Sequence, residues 1–444
     1  MSNYNPYPAY KDSGVEWIGE VPEHWEVKPI KIIASCNDDS LPESFSPDTP
    51  IRYVDISSVS HDAGIAEPEF MLFGDAPSRA RRKARAGDVV VSTVRTYLKA
   101  VAAVDDAHAD CVYSTGFAVL RPRKEHLTPE FLKWLALNEL LIQAVESHSE
   151  GLSYPAINAS ELINLKTTLP SLSEQARIAS ILDRETARID ALIAKKTRFI
   201  ELLKEKRQAL ITHAVTKGTD PDVRMKDSGV VWIGEVPVHW NVVQSRRLFS
   251  ERKERAREGD VQFTASQKYG VIPQTEFMER ERRRVMLVGK GHDILKHIEP
   301  GDFLISMRSF EGGLEECNWS GSVSSAYVPL TPIKWVWHQF FKYLFKSDGY
   351  IQALQSTSDL VRDGQALRFE NFSKVPLLQV PIEEQKKIAS ILNRETSRID
   401  LLTEKTQRSI DLLKERRAAL ITAAVTGQID LRIQDARASM LTRG

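Results

Sequence analysis

The sequence predicts a mixed α/β protein in which two α/β domains are separated by two long helices, and the helices form an antiparallel coiled coil with internal pseudo-twofold symmetry. Three observations predict this fold. Two passages of the chain are repeated, each repeated unit ends in a long helical segment, and the stretch inside each unit mixes strand and helix patterns. With 444 residues, of which 42% are hydrophobic and 8% aromatic, the chain is long enough for about two to four domains with buried cores.

The repeated passages define two halves of the chain. The first reads KDSGVEWIGEVPEHW at 11–25 and KDSGVVWIGEVPVHW at 226–240, with 13 of 15 positions identical. The second begins EQARIASILDRETARID at 174 and EQKKIASILNRETSRID at 384, and 29 of its 43 positions are identical. The offsets of 215 and 210 residues are far longer than the repeats of solenoid proteins. The chain is therefore predicted to be a duplicated unit with two pseudo-symmetric halves.

The second repeated passage is predicted to be a long helix in both copies. Residues 174–216 and 384–426 contain neither Pro nor Gly and are rich in Ala, Leu, Glu, Lys and Arg. Gly218 and Gly427, which follow them, are typical helix-ending residues. Residues of both segments recur at alternating spacings of four and three, which is the pattern of a coiled-coil seam. The predicted seam residues are Ile178, Leu182, Ile189, Leu192, Leu203, Leu210, Ile388, Leu392, Ile399, Leu402, Leu413 and Leu420.

The two helices are predicted to pair with each other, because neither can bury its apolar stripe alone. Antiparallel pairing is favoured, since a parallel pair would require the second variable stretch to return the chain over the whole helix. Polar residues occupy matching seam positions, Glu185 with Glu395 and Lys206 with Arg416, and could fix the register. A purely structural dimerisation rod is the alternative interpretation of the helices taken by themselves.

The stretches between the repeated passages differ in sequence but match in pattern. Strand-like GDVVVSTVR at 87–95 corresponds to GDFLISMR at 301–308, and YSTGFAVLRP at 113–122 corresponds to SSAYVPLTP at 324–332. Residues 127–147 and 335–356 are predicted to be amphipathic helices. The predicted segments are repeat elements at 1–25 and 218–240, variable domains at 26–172 and 241–382, long helices at 173–217 and 383–427, and a tail at 428–444.

No motif of a catalyst is found in the sequence. The chain has no G-x-x-x-x-G-K-[ST] loop, no H-E-x-x-H pair and no Cys/His cluster with metal-ligand spacing. GKGH at 289–292 lacks the third glycine of a dinucleotide loop, and NPY at 5–7 only faintly resembles the end of an amino-methyltransferase motif. We therefore expect no catalytic residue, no metal site and no cofactor on this chain.

The composition predicts a cytoplasmic protein. Three cysteines with irregular spacing fit a reducing compartment, and the sequence shows neither a leader-like N-terminus nor an apolar run of about eighteen residues. No membrane partner is therefore expected. Lys+Arg and Asp+Glu number 60 each, so total charge does not favour a nucleic-acid binder and the local distribution of charge matters more.

Two basic runs, one in each variable domain, indicate where a nucleic acid could bind. Lys and Arg there would contact phosphates, and Arg could also address guanine edges. Polar and aromatic loops near the runs, at 92–99 and 264–274, could reach base edges, although such side chains often only close loops. The candidate DNA-binding residues are Arg79, Arg81, Arg82, Lys83, Arg85, Arg95, Tyr97, Lys99, Gln267, Lys268, Tyr269, Arg280, Arg282, Arg283, Arg284 and Arg308.

The order of these passages resembles the specificity subunit of a type I restriction-modification system over essentially the full chain. The resemblance rests on the paired DSG…WIGEVP.HW passages, the paired EQ..IASIL.RET.RID helices that end in ALIT.AVT, and the two unlike domains between them. It implies that 26–172 and 241–382 are target recognition domains, each of which reads one half of a split, asymmetric DNA sequence. It also implies that the antiparallel helices set the spacing between them.

The resemblance further implies the partners. Double-stranded DNA, two methyltransferase subunits and two restriction/translocase subunits would assemble with the chain, and those subunits would bind S-adenosylmethionine, ATP and Mg²⁺. Two other classes of function stay open. One is a coiled-coil adaptor whose variable domains bind proteins, and the other is a fused enzyme with an unfamiliar active site.

The first repeated passage is predicted to be the root of each variable domain. Trp17, Ile18 and Trp25, like their counterparts 215 residues later, would pack against the helix ends or against a docking methyltransferase. The alternative is that these tryptophans stack on DNA bases. It is weaker, because an identical base reader in both halves would add no discrimination.

Overall fold

The computed structural model describes residues 5–151, 153–282, 294–306, 312–357 and 367–432. The chain divides into two compact units, unit 1 formed by Met1–Lys196 with Arg408–Gly444 and unit 2 formed by Thr197–Gln407. Both long helices continue from one unit into the other, so each unit contains one variable domain and a part of both helices. No helix in the described ranges is both long enough and apolar enough to cross a membrane.

Unit 1 contains short strands and helices, followed by the first part of a long helix. Its strands are β1 (Tyr10–Asp12), β2 (Glu20–Pro22), β3 (Glu26–Pro29), β4 (Ala34–Cys36), β5 (Pro50–Val54), β6 (Val59–Ser60), β7 (Gly64–Ile65), β8 (Glu69–Leu72), β9 (Ala80–Lys83), β10 (Val89–Ser92), β11 (Val101–Ala103), β12 (Val112–Ser114), β13 (Phe117–Pro122) and β14 (Lys166–Leu169). Its helices are α1 (Ile30–Ile33), α2 (Pro129–Ala136), α3 (Glu139–Ser147), α4 (Ala159–Leu162) and the long α5 (Leu172–Lys217).

Unit 2 repeats this order and ends in the second long helix. Its strands are β15 (Met225–Asp227), β16 (Glu235–Pro237), β17 (Asn241–Gln244), β18 (Phe249–Glu251), β19 (Gln262–Ser266), β20 (Gly270–Pro273), β21 (Lys296–Ile298), β22 (Phe303–Ser306), β23 (Glu315–Glu316), β24 (Gly321–Val323), β25 (Tyr327–Pro332) and β26 (Pro376–Gln379). Its helices are α6 (Gln274–Glu281), α7 (His338–Leu344), α8 (Asp348–Gln355), α9 (Phe369–Lys374) and the long α10 (Ile382–Val425).

The same sheet topology is found in both units. In unit 1 an antiparallel sheet has the strand order β11-β10-β13-β4, and a mixed sheet has the order β8-β5-β12-β9. In unit 2 the corresponding orders are β23-β22-β25-β18 and β20-β19-β24-β21. Each mixed sheet has one parallel pair, β5 with β12 and β19 with β24. The two variable domains therefore share one fold, although their sequences differ.

The central strands are formed by the passages that the sequence analysis paired. GDVVVS contains β10 and GDFLIS contains β22, and β10 pairs with β13 as β22 pairs with β25. All four residues of β10 are buried, which explains its unbroken run of valines. The prediction of two mixed α/β domains with matched strands is confirmed.

Each predicted amphipathic helix is two short helices instead of one. In unit 1 the break falls at Asn138, whose side-chain oxygen accepts a hydrogen bond from the backbone N–H of Leu140 at 3.1 Å and so caps α3. In unit 2 the corresponding break lies at Ser347, between α7 and α8. Apolar periodicity predicted the helical residues but not the breaks, because the same periodicity continues on both sides of each capping residue.

Within each unit the two long-helix segments pack antiparallel. In unit 1 Arg417 of α10 lies 3.0 Å from Asp190 of α5, and in unit 2 Arg207 of α5 donates a hydrogen bond to Asp400 of α10 at 3.0 Å. Asp190 and Asp400 are equivalent residues of the two copies, and so are Arg207 and Arg417. The same ion pair is therefore formed twice with the roles of the helices exchanged, as antiparallel pairing of two similar helices requires.

The buried stripe of the helices differs from the predicted seam by one residue at alternate positions. Leu192 and Leu402 are 42% and 41% exposed, whereas the adjacent Ile193 and Thr403 are half-buried. A stripe that includes residue 192 and a stripe that includes residue 193 both alternate spacings of three and four residues. Both therefore stay on one face of the helix, and the sequence did not distinguish them. Of the other predicted seam residues, Leu210 and Leu413 are half-buried, and the buried ones are Ile178, Leu182, Ile189, Leu203, Ile388, Leu392, Ile399 and Leu420.

The polar residues at the predicted seam do not join the helices. Glu185 pairs with the neighbouring Arg184 at 3.4 Å, and Glu395 pairs with Arg394 at 2.9 Å, so both ion pairs stay within one helix. The arginines that form the interhelical ion pairs follow Lys206 and Arg416 by one residue. This is the same one-residue shift that the apolar stripe shows.

The first repeated passage forms a small hairpin, β1 with β2 in unit 1 and β15 with β16 in unit 2. Trp25 is fully buried in the core that contains Ala424 and Val425 of α10, and Trp240 is fully buried in the core that contains Val215 of α5. Trp17 and Trp232 are partly buried against the same two cores. The tryptophans therefore pack against the helix ends and belong to the frame of each unit.

The glycines that end the two long helices give a first prediction. Gly218 and Gly427 both have left-handed backbone, with φ of +76° and +77°. A Cβ at Gly218 would lie 3.4 Å from its nearest neighbour, Glu384 Oε1, whereas a Cβ at Gly427 would lie 2.3 Å from Pro22 Cδ. We expect Gly218→Ala to lower the free energy of unfolding by about 1 kcal/mol through backbone strain. Gly427→Ala should cost about 1–3 kcal/mol more, because Pro22 has to move.

The measurement is denaturant unfolding of both full-length variants beside the unmodified chain. The two variants control for each other, since they introduce the same methyl group at equivalent helix ends. Equal losses of stability in the two variants would contradict the prediction.

Candidate nucleic-acid interface

The first basic run, residues 79–85, lies on and around β9, the edge strand of the mixed sheet in unit 1. Arg79 donates a hydrogen bond to Asp55 Oδ2 at 3.2 Å, and Arg85 donates one to Asp39 Oδ2 at 2.8 Å. Aspartates of the same unit therefore partly neutralise two of the five cations.

The remaining cations of this run differ in accessibility. The guanidinium of Arg81 lies 4.9 Å from the ring centroid of Phe73, and Arg81 and Arg82 are both half-buried. One guanidinium nitrogen of each arginine is buried without a hydrogen-bond partner, which is costly. Lys83 is exposed and has no ion pair among the described residues. Lys83 is thus the cation of the run most available to a phosphate.

Three further candidates of unit 1 lie on one turn between β10 and β11. Arg95 and Lys99 flank a single 3-10 turn at Thr96–Leu98, and Arg95 and Tyr97 are exposed. Lys99 Nζ donates a hydrogen bond to Glu139 Oε2 at 3.2 Å. The Arg95 guanidinium lies 5.2 Å from the ring centroid of Tyr154, a residue that sequence reasoning missed. The sequence signal for Tyr154 was only its aromatic ring in the stretch SYPAIN at 153–158, where no helix or strand periodicity indicates a contact.

The candidates of unit 2 meet at the turn that joins β19 to β20. The Tyr269 hydroxyl donates to Glu281 Oε1 at 2.9 Å, and Lys268 Nζ reaches the same oxygen at 3.3 Å. Lys268 and Arg280 lie 4.8 and 4.9 Å from the Tyr269 ring centroid. Gln267, beside them, is exposed. The fold thus brings two cations onto one aromatic ring, although Arg280 is distant from the turn in sequence.

The described part of the second basic run, Arg280 and Arg282, does not lie in the same structural element as the first run. Arg282 is exposed and ends α6 with left-handed backbone, φ +48°. Arg283, Arg284 and Arg308 lie outside the described residues. The counterpart of β9 in the mixed sheet of unit 2 is β21, which begins at Lys296. The two runs therefore have similar positions in the sequence but lie in different structural elements, β9 and α6. The reason is that the variable domains have different elements between their matched strands.

A glutamine at the start of each long helix joins the helix to the variable domain, a role that the sequence analysis did not assign. Gln175 Nε2 donates to the carbonyl oxygens of His126 and Pro170 at 2.8 and 2.9 Å, and its Oε1 accepts from the backbone N–H of Thr128 at 2.9 Å. In unit 2 Gln385 makes the equivalent hydrogen bonds, at 2.7–2.8 Å, to Trp335, Val380 and Trp337. The available signal was the identical EQ dipeptide that opens both repeated helices.

The glutamate before each glutamine binds the first repeated passage. Glu174 accepts a hydrogen bond from the Tyr7 hydroxyl at 2.7 Å and lies 3.1 Å from His24 Nε2. In unit 2 Glu384 lies 2.8 Å from His239 Nε2. Burial and the hydrogen bond to Glu174 raise the pKa of Tyr7 above its usual range. We call each Glu–Gln pair a clamp, because it ties a long helix to its variable domain and to its hairpin.

A Gly-Asp turn precedes each of the strands β10 and β22, and we call it the GD turn. The aspartate of each GD turn, Asp88 or Asp302, is buried and binds one arginine. Arg121 on β13 donates to Asp88 through Nε at 3.0 Å and Nη2 at 2.8 Å, and the hydrogen bonds raise the pKa of Arg121. Arg252, which follows β18, binds Asp302 in the same bidentate way at 2.7 and 3.0 Å. Removing one partner of such a buried pair costs about 3–5 kcal/mol. These guanidinium groups therefore have a structural role.

The described residues hold no arrangement suited to a metal. Within those ranges no group of three or more His, Cys, Asp or Glu side chains is placed to hold a metal ion. The three cysteines are free, and burial raises the pKa of the Cys317 thiol to about 11. A thiol of this kind is a poor nucleophile and a poor metal ligand at neutral pH.

Comparison with known proteins tests the resemblance that the sequence indicates. Residues 22–202 match the family model of the type I restriction modification DNA specificity domain. The chain is also similar to the putative type I restriction enzyme MjaX specificity subunit of Methanocaldococcus jannaschii, at 24% identity over 93% of this chain and 95% of that protein. The resemblance to the specificity subunits of type I restriction-modification systems is confirmed.

Solved structures share the fold of this chain. A chain from work on complex assembly and conformational transition of the type I R-M system matches with a TM-score of 0.71 and 21% identity, over 92% of this chain and 99% of that chain. The HsdS subunit from Thermoanaerobacter tengcongensis matches with a TM-score of 0.52 and 23% identity, over 92% and 98% of the two chains. In this chain the clamps and the Asp–Arg pairs form the frame, and the exposed turns carry the candidate DNA contacts.

A buried histidine of unit 2 gives a prediction about pH. His297 on β21 is fully buried, and its two ring nitrogens lie 2.8 Å from Asp260 Oδ2 and from Glu299 Oε1. Burial by itself lowers the pKa of His297, but the hydrogen bonds to Glu299 and Asp260 outweigh it, so the pKa is raised. The stabilisation is then complete below about pH 6.5 and is lost as the pH rises through the higher pKa of the folded state.

Denaturant unfolding followed between about pH 5.5 and pH 9 measures this effect. We expect the free energy of unfolding of the unmodified chain to fall as the pH rises from about 6.5. His297→Gln should remove this component of the slope. An unchanged pH slope in the variant would contradict the assignment.

Proposed function

We propose that this specificity subunit reads one asymmetric DNA target in two halves. The variable domain at 26–172 reads one half, and the variable domain at 241–382 reads the other. The two readings together direct methylation and restriction by partner subunits to that target.

A single observation carries the proposal: one fold is built twice on a repeated frame, while the exposed side chains of the two copies differ. Both copies have the same two sheets, the same clamp and the same buried Asp in the GD turn. The corresponding edge strands of the mixed sheets, however, carry Arg81, Arg82 and Lys83 on β9 but Lys296, His297 and Ile298 on β21. Two copies that share a fold and differ at the surface are suited to two different half-sites.

The two long helices are proposed to set the spacing between the half-sites. They have 46 and 44 residues, which correspond to roughly 65–70 Å at about 1.5 Å per residue. Domains held by such helices could reach half-sites about one DNA turn, roughly 34 Å, apart on one face of the duplex. The base pairs between the half-sites would then not be read.

The DNA contacts are proposed at the exposed cations and aromatic turns of both units. Lys83 and the other cations of the first run would contact phosphates, which fix position without reading sequence. The turns that carry Arg95 and Tyr269 would approach the bases. Arg283, Arg284 and Arg308, outside the described residues, stay predictions.

The chemistry is proposed to belong to partner subunits. We expect two methyltransferase subunits and two restriction/translocase subunits, which would bind S-adenosylmethionine, ATP and Mg²⁺. The similarity to a chain from work on the assembly of a type I R-M system supports this proposal.

A domain exchange tests the two-part reading. Residues 26–172 are replaced by the corresponding domain of another family member, and the chain is expressed with its methyltransferase. Methylome sequencing should show a new sequence in one half of the methylated target and the original sequence in the other half. The reciprocal exchange of 241–382 is the matched control. A change in both halves after either exchange would refute modular reading.

Lys83→Ala tests the basic run. We expect weaker DNA binding by roughly the same factor on all sequences, and a salt slope smaller by about 1, because one phosphate contact is lost. Lys195→Ala, which removes an exposed lysine of α5 outside the variable domains, is the control. Equal salt slopes for the two variants would exclude Lys83 from the interface.

A further inference from the structure

The turn at residues 95–99 in unit 1 has an unusual backbone. Arg95 and Lys99 have φ of +51° and +50°, in the left-handed region that non-glycine residues seldom adopt. Such a conformation is strained and persists only where its surroundings impose it. The two residues enclose the single 3-10 turn of Thr96–Leu98.

Buried contacts impose this shape from both sides. Thr96 is buried, and its hydroxyl donates a hydrogen bond to Ser149 Oγ at 2.9 Å. Ala100 is fully buried, and Lys99 is tied to Glu139 at 3.2 Å. The backbone N–H of Ile157 donates to the Thr93 carbonyl at 2.9 Å, which holds the loop of Tyr154 against the turn. The turn is therefore preorganised.

This preorganised turn exposes apolar side chains that the core does not use. Tyr97 is 52% exposed and Leu98 is 43% exposed, although both lie between the buried Thr96 and Ala100. Tyr154, 66% exposed, lies under the guanidinium of Arg95, which begins this turn. Neighbouring exposed apolar side chains with a cation between them mark an interaction surface more often than a structural need.

We propose that Tyr97 and Leu98 form a wedge that enters between two stacked base pairs of the DNA bound by unit 1, with Arg95 and Tyr154 beside it on the sugar-phosphate backbone. The proposal rests on the proposed function and adds the mode of contact. Apolar side chains on a rigid support are what DNA-bending proteins insert between base steps. A rigid turn suits this role, because it loses little conformational entropy when it binds.

The charges favour DNA over a protein as the occupant of this surface. Arg95 is exposed and has no carboxylate partner among the described residues, so its charge is available to a phosphate. A guanidinium held on an aromatic ring keeps its outer nitrogens free for hydrogen bonds. A protein partner at the same surface is the competing outcome of the test.

The test uses the subunit assembled with its methyltransferase and a duplex that carries the target found by methylome sequencing. 2-Aminopurine replaces, in turn, each purine of the half-site read by unit 1, except the methylated base. Unstacking by a wedge should raise the fluorescence at one base step several-fold. Tyr97→Ala with Leu98→Ala should abolish this rise and weaken specific binding at least about fivefold. Tyr97→Phe should retain both.

Phe70→Ala is the matched control. Phe70 is a 72% exposed ring under the Arg52 guanidinium, and it lies on β8, in a different sheet from the strands β10 and β11 that the turn joins. It should leave the fluorescence rise and the affinity unchanged. Thermal unfolding of all variants checks that the exposed substitutions preserve the fold.

Three results would overturn the wedge. The first is a target-bound complex without any fluorescence rise, and the second is a rise that persists in the double variant. The third is a double variant that binds DNA normally but no longer assembles with the methyltransferase, which would assign the surface to a protein. In all three the unmodified chain still binds a split target, so the proposed function stands. Failure of the unmodified complex to recognise a split target would remove both proposals.

Discussion

The rest of the structure depends on the clamp at the start of each long helix. Gln175 and Gln385 are fully buried, and each makes three hydrogen bonds to the backbone around it. A buried amide that lost these partners would leave several polar groups unsatisfied, so the helix start cannot shift without a large penalty. The adjacent Glu174 and Glu384 extend the joint to the repeated hairpin. One dipeptide therefore fixes a helix, a domain and a hairpin together.

The duplication shows which interactions the fold needs and which it leaves to vary. The clamp, the buried tryptophans and the Asp of each GD turn occur in both units. The arginine that neutralises that Asp comes from different strands in the two units, Arg121 on β13 and Arg252 after β18. The buried carboxylate is thus retained, while its partner is free to move to a neighbouring strand. The edge strands β9 and β21, which are matched in topology, differ in sequence.

The antiparallel helices use the duplication in another way. Each helix carries the same Asp and Arg at equivalent positions. Duplication of one helix therefore provides two interhelical ion pairs. Each pair is partly exposed and stabilises by only about 0–1 kcal/mol. Their value is in register: a slip of one helix by a turn would separate both pairs at once and expose buried seam residues.

The sequence by itself determined the duplication, the two long helices, the matched central strands and the resemblance to specificity subunits, because repeats, helix-breaking residues and apolar runs are local features. Tertiary structure decided the phase of the helix seam, where Leu192 and Ile193 were equally acceptable to a 3.6-residue period. It also decided the break at Asn138, the partners of the basic runs and the meeting of Arg95 with Tyr154. These depend on residues distant in sequence, whose contacts exist only once the sheets have formed.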